Sequence, residues 1–127
     1  MESQDLSAII IECCLEVHKT LGPGLLESAY EEAVCFELAQ RGIPFSRQQI
    51  IPIEYKDNIL EAGFRADIIV NDAIIIEIKS VEKMSPTHFK QLLTYLRLTN
   101  KRLGLLVNFG DVLIKNGIKR IVNNLPE

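Results

Sequence analysis

Apolar residues recur at helical spacing near the start of the chain. Leu6, Ile9, Ile10, Cys13, Val17 and Leu21 share one stripe, the recurrence expected of an amphipathic helix. Asp5 or Ser7 is placed to cap its start. Gly22-Pro23-Gly24 then breaks the chain. A second helix is predicted from about Leu25 to Arg41, with Leu26, Ala29, Tyr30, Ala33, Val34 and Leu38 as its apolar positions. Gly42 is its left-handed stop and Pro44 lies beyond.

The period then changes from helical to alternating. Ile51, Ile53 and Tyr55 alternate with Pro52 and Glu54, and Lys56-Asp57-Asn58 supplies a turn. Ile59 to Val70 reads as a long strand, Asn71-Asp72 as a turn, and Ala73 to Lys79 as a third strand of an antiparallel meander. Ser85-Pro86 opens a third helix, serine capping and proline taking the first helical position, and the apolar pattern carries it to about Leu98. Arg102 to Asn108 is a short apolar strand reached by that helical crossover, hence buried and centrally placed. Val112 to Lys115 and Ile118 to Val122 are read as short closing strands. The order helix, helix, three strands, helix, strand defines an α/β layer structure with a mixed sheet.

The chain has 127 residues, 47% of them apolar and 24% charged, which suits one domain with a substantial core. No apolar run approaches the ~20 residues that span a bilayer. Met1 to Asp5 lacks the basic and apolar start of a secretory signal, so a cytoplasmic location is expected. Cys13, Cys14 and Cys35 lie in helical patterns without zinc-type spacing, and are expected to be reduced, packed thiols.

The net charge of −3 at first argues against a nucleic-acid partner. Its distribution changes that picture. Residues 1–59 hold ten acids and four bases, whereas residues 60–127 hold ten bases and seven acids. A local basic face, rather than the overall charge, governs phosphate contact. A solvated charged surface would give the same asymmetry.

The candidate chemistry lies in the strands. Glu77 and Lys79 flank Ile78 and therefore share a face. Asp67 joins them only if the preceding hairpin has an odd loop. A two-residue loop would pair Asp67 with Ile76 and turn it away. A three-residue loop, Asn71-Asp72-Ala73, would pair Val70 with Ile74 and Asp67 with Glu77. Two carboxylates on adjacent strands repel unless a cation lies between them. Mg²⁺ accepts one or two carboxylates together with a substrate phosphate, and Lys79 could hold an attacking water or neutralise phosphate charge. Glu-x-Lys is also a common surface alternation. Here it sits in a strand whose Ile74, Ile75, Ile76 and Ile78 read as buried on both faces, where a charge is costly without a partner.

Glu27, in the first turn of the second helix, would by itself be a helix-dipole carboxylate. It shares a face with Tyr30 at i+3. Glu31 and Glu32 are expected to face solvent. On the third helix His88, Gln91, Leu92 and Tyr95 lie on one stripe. Leu92 belongs to the core, Gln91 and Tyr95 form an edge able to reach the sheet or a substrate, and His88 alone would be a helix-start residue. His18 is expected to be structural. Tyr30, His88, Tyr95, Lys83 and Lys90 are the candidate substrate contacts, with Arg97, Lys101 and Arg102 as further phosphate partners.

Gly24-Leu25-Leu26-Glu27-Ser28-Ala29-Tyr30 matches the Gly-x-x-Glu-x-x-Tyr signature of the GxxExxY protein family. The likeness continues through Glu16-Val17-His18, Tyr55 to Asp67, Ile74 to Lys79, and Gln91-Leu92-Leu93-Thr94-Tyr95-Leu96-Arg97 to Asn108-Phe109-Gly110. It spans about Ile9 to Val122. The chain thus resembles a family assigned to the PD-(D/E)XK nuclease superfamily.

That resemblance implies a restriction-endonuclease-like α-β-β-β-α-β core, a central mixed sheet flanked by helices, with an extra N-terminal helix. It implies that Asp67 and Glu77 are metal ligands, that Lys79 is the catalytic lysine, and that Glu27 completes the acidic metal set, by way of a metal-bound water. Gln91 and Tyr95 resemble the Gln-x-x-x-Tyr motif of RecB-like nucleases, which places Gln91 with the expected catalytic residues Glu27, Asp67, Glu77 and Lys79. Ala66 stands where the superfamily name has proline, which is not a ligand. The expected activity is Mg²⁺- or Mn²⁺-dependent hydrolysis of phosphodiester bonds, in DNA more than in RNA. A homodimer is one expected arrangement, because a small domain offers little surface to a duplex. The competing reading is a catalytically silent module of the same fold that binds nucleic acid or a protein.

Overall fold

The computed structural model describes residues 3–124. Helix α1 (Ser3–Leu21) and helix α2 (Glu27–Gln40) precede strands β1 (Phe45–Tyr55), β2 (Asn58–Val70) and β3 (Ile74–Lys79). Helix α3 (Pro86–Thr99) leads to β4 (Leu103–Asn108), the one-turn helix α4 (Ile114–Gly117) and β5 (Ile118–Val122). The five strands lie in sequence order, and every neighbouring pair is antiparallel except β3 and β4. The parallel pair follows from the α3 crossover, since two parallel strands cannot be joined by a tight turn.

Helices cover both faces of β3. Ile74, Ile76 and Ile78 pack with α1 and α2 residues such as Ile10, Val17, Val34 and Leu38, while Ile75 packs with Ala66, Ile69, Leu106 and the α3 residues Leu92 and Leu96. This explains the unbroken isoleucine run: neither face of the strand meets water. Each such side chain contributes roughly 2–3 kcal/mol of burial. Cys13, Cys14 and Cys35 are buried free thiols, as expected. His18 is structural, its Nε2 lying 2.8 Å from the Asp111 carbonyl oxygen.

Three boundaries differ from the sequence reading. Helix α1 already includes Ser3, so Asp5 and Ser7 lie inside it rather than capping it. Strand β1 begins at Phe45, because the polar run Ser46 to Gln49 lies on an edge strand whose pairing is set by β2. Residues 112–115 do not form a strand. Val112 and Leu113 are exposed, Ile114 alone is buried, and α4 turns the chain back so that β5 can pair with β4.

The hairpin between β2 and β3 has the three-residue form. Val70 pairs with Ile74, and Asn71 and Asp72 take positive φ values of 52° and 51°. Both residue types tolerate that region better than most. The register that would turn Asp67 toward Glu77 is therefore the one adopted.

Candidate functional site at the fork of the sheet

Strands β2 and β3 are laddered only from Ile68 and Ile76 to the hairpin. Asp67 and Glu77 are the first residues beyond the ladder, where β2 leaves β3 and continues with β1 alone. Side chains replace the missing backbone pairing. The Asp67 N–H donates to Glu77 Oε2 at 3.0 Å, and the Ile78 N–H donates to Asp67 Oδ2 at 2.8 Å. Each acid thus satisfies a main-chain donor of the opposite strand, which holds both carboxylates at the fork.

These carboxylates are electrostatically uncomfortable. Glu77 is buried, and desolvation followed by the Asp67 charge pushes its pKa up to about 8. Desolvation also raises Asp67, with the Glu31 charge adding to it, while the Ile78 N–H and the Gln48 amide act in the other direction. The Lys79 ammonium favours the ionised form of both acids. Such perturbed, mutually repelling acids beside a lysine mark a functional-site candidate.

Glu27 stands at the start of α2 and reaches the end of β3. Its Oε2 accepts the Ser80 N–H at 3.1 Å, and Ser80 Oγ donates to the Leu25 carbonyl oxygen at 2.7 Å. Glu27 and Asp67 line one open cleft of about 340 Å³ with Ser28, Glu31, Arg47 and Gln48. The far side of this end of β3 is tied down by buried Asn108. Its Oδ1 accepts from Val81 N (2.9 Å) and Gly110 N (3.1 Å), and its Nδ2 donates to Val81 O (2.9 Å) and Asp111 Oδ2 (3.0 Å).

Glu31 is the residue that the sequence reading misplaced. Expected to face solvent, it is only 5% exposed. Arg47 Nε donates to its Oε2 at 2.5 Å and Gln48 Nε2 to its Oε1 at 2.6 Å. The signal that could have found it is its i+4 spacing from Glu27, which puts both acids on one helix face. Glu32 is exposed, as expected.

The third helix packs its Tyr95 against β2. Tyr95 stacks on Phe64 with ring centroids 3.8 Å apart. Desolvation raises its pKa, the Glu77 and Asp67 charges add to it, and the Gln91 side chain acts in the other direction. Gln91, Lys83 and Lys90 are exposed. Lys101, by contrast, is committed to Asp72, with Nζ 3.1 Å from both its carbonyl and carboxylate oxygens.

One expected substrate contact is corrected. Tyr30 is 0% exposed and stacks on Phe109 with centroids 4.4 Å apart. Its hydroxyl donates to the Gly22 carbonyl oxygen at 2.5 Å and accepts the Leu25 N–H at 3.0 Å. It anchors the α1–α2 loop and leaves no surface for a substrate. His88 has a capping role: its Nδ1 accepts the Ser85 N–H at 3.3 Å at the start of α3.

Among the described residues, no three His, Cys, Asp or Glu side chains form a ready-made metal cage. No helix there is long and apolar enough to cross a membrane. An α-β-β-β-α-β core with a mixed sheet, preceded by one further helix and closed by a fifth strand, is a restriction-endonuclease-like architecture. A sequence model of the PD-(D/E)XK nuclease superfamily matches residues 4–121, and the chain belongs to that superfamily. Its nucleases are hydrolases that generally use a divalent metal ion, usually Mg²⁺. No curated protein and no solved structure matches the chain.

Proposed function

We propose that this protein is a GxxExxY-type nuclease that hydrolyses phosphodiester bonds of DNA in preference to RNA, with Mg²⁺ or Mn²⁺ held by Asp67 and Glu77. The observation that carries this reading is the pair of acids at the fork, each bonded to the other strand and both raised in pKa by burial. Buried carboxylates that repel one another suit a hard cation, and Mg²⁺ keeps several waters, so two protein ligands suffice without a closed cage. When bound, the metal would lower the pKa of water and offset charge on the phosphate.

The chain's own residues divide the remaining work. Lys79 neutralises charge that develops on the scissile phosphate. Glu27, fixed by the Ser80 N–H, completes the acidic wall of the cleft. Gln91 and Tyr95 position the substrate from α3. Lys83 and Lys90 contact backbone phosphates, which makes binding salt-dependent. The reading includes a cytoplasmic, one-domain protein acting alone or as a homodimer.

A panel of labelled single-stranded, duplex and branched DNA and RNA, incubated with Mg²⁺ or Mn²⁺, tests it. Cleavage of DNA that disappears with EDTA and in Lys79→Ala is the expected result. A panel left intact by the wild-type protein with either metal would overturn the proposal.

A further inference from the structure

Arg47 and Gln48 are consecutive residues of a strand, and yet both bond to the same carboxylate. In regular β structure neighbouring side chains point to opposite faces, so one helix residue could not receive both. Glu31 does receive both, one on each oxygen. The backbone supplies the reason. Gln48 has left the β region, with φ at +54°. The β1–β2 ladder pairs Arg47 with Ile68 and Gln49 with Ala66, and passes over Gln48 and Asp67, which would otherwise face each other.

The side chain freed by this turn also reaches Asp67. Gln48 Nε2 lies 2.6 Å from Glu31 Oε1 and 3.2 Å from Asp67 Oδ1. An amide nitrogen carries two hydrogens, so one group can serve both carboxylates and separate two like charges. The other Asp67 oxygen is held by the Ile78 N–H at 2.8 Å. Both oxygens of Asp67 are therefore oriented, one by β3 and one by Gln48.

We infer that Gln48, in its left-handed conformation and anchored by Glu31, is a positioning residue that aims the Asp67 carboxylate for metal binding. Its proposed role is exerted through Asp67. This inference rests on the reading that Asp67 is a metal ligand. A strained backbone conformation kept by a glutamine, where glycine would be easier, fits a residue retained for its side chain rather than for the fold.

Gln48→Gly separates the two roles. Glycine adopts positive φ freely, which offsets part of the lost Glu31 bond, so the variant should stay folded while loss of the amide weakens the site. Mn²⁺ binding to the metal-free protein, followed by calorimetry and by the electron-paramagnetic signal of free Mn²⁺, should weaken about tenfold or more, the usual scale for losing a partner of a metal ligand. Asp67→Asn, measured alongside, should abolish binding.

Wild-type Mn²⁺ affinity in Gln48→Gly, with binding lost in Asp67→Asn, would overturn the inference alone. Unchanged Mn²⁺ binding in Asp67→Asn would overturn the metal-ligand reading and the inference with it. Should the glycine variant lose its fold, Gln48→Asn carries the test. Asparagine also tolerates positive φ, but its amide is one methylene too short to span both carboxylates. It should bind Mn²⁺ as weakly, and wild-type affinity there would count against the positioning role.

Discussion

Asp67 gives its backbone N–H to the Glu77 carboxylate at 3.0 Å, across the point where their strands cease to pair. The return bond, from Ile78 N–H to Asp67 Oδ2 at 2.8 Å, closes the arrangement. Two acids that repel one another are thus held side by side by main-chain donors. The fold is fixed on both sides of the fork by the isoleucine core, so the charges cannot separate to relieve their repulsion.

Removing the lysine tests the chemistry without disturbing this frame. Lys79 is partly exposed at the end of β3, outside both core clusters. Lys79→Ala should lower cleavage by at least about 10²-fold, the scale for loss of one charge-stabilising group. Thermal stability should stay within about 1 kcal/mol of wild type, and Mn²⁺ binding should persist. Cleavage at the wild-type rate would exclude a catalytic lysine here.

The pKa of Glu77 predicts an unusual dependence of stability on pH. Its folded value of about 8 lies above the ordinary carboxylate value of 4.5, so the folded state binds more protons than the unfolded state between these limits. Stability of the metal-free protein therefore falls as pH rises from about 4.5 to about 8. The loss attributable to this group is on the order of 5 kcal/mol. Glu77→Gln should be more stable than wild type at pH 8 and should flatten the dependence. Saturating Mg²⁺ should also flatten it in the wild type. Denaturant titrations across this pH range would show whether the slope has the stated sign.

Asn108 makes four hydrogen bonds from a nearly inaccessible position. Asn108→Ala would strip partners from the Val81 N–H and carbonyl and from the Gly110 N–H. Such part-buried, unpaired groups cost about 1 kcal/mol each, the low end for a lost partner, so a loss of about 3 kcal/mol is expected in urea unfolding. The segment that carries Lys79 and Ser80 would loosen with it, giving faster amide exchange at Ser80 and Val81. Wild-type exchange at these two amides would show that the asparagine does not hold the end of β3.

Tyr30→Phe distinguishes an anchor from a substrate contact. It keeps the ring stacked on Phe109 and removes the hydroxyl that serves Gly22 and Leu25. A destabilisation of about 2 kcal/mol is expected from the two lost partners. KM for a nucleic-acid substrate should stay unchanged under conditions where the variant is folded. A raised KM with unaltered stability would reinstate Tyr30 as a binding residue.

Much of the fold could be read from local pattern. The isoleucines of β3, the Ser85-Pro86 helix start and Gly42 after α2 each reflect a constraint acting within a few residues. The conditional argument about Asp67 was also local: once the hairpin has three residues, alternation brings it to Glu77. Val112 to Lys115 misled because an apolar run does not reveal whether an edge is available for it to pair with.

By itself, the sequence determined the two helical stripes, the strand alternation and the acid-x-lysine face, because these depend on periods of 3.6 and 2 that each segment carries alone. Tertiary structure decided which side chains those faces meet. Tyr30, on the same face as Glu27, became a buried anchor because Phe109 from the far end of the chain packs on its ring. Glu31 became buried because β1 delivers Arg47 and Gln48 to it from 16 and 17 residues away. No local preference of glutamine selects a φ of +54°; contacts with two carboxylates on two different elements hold it there.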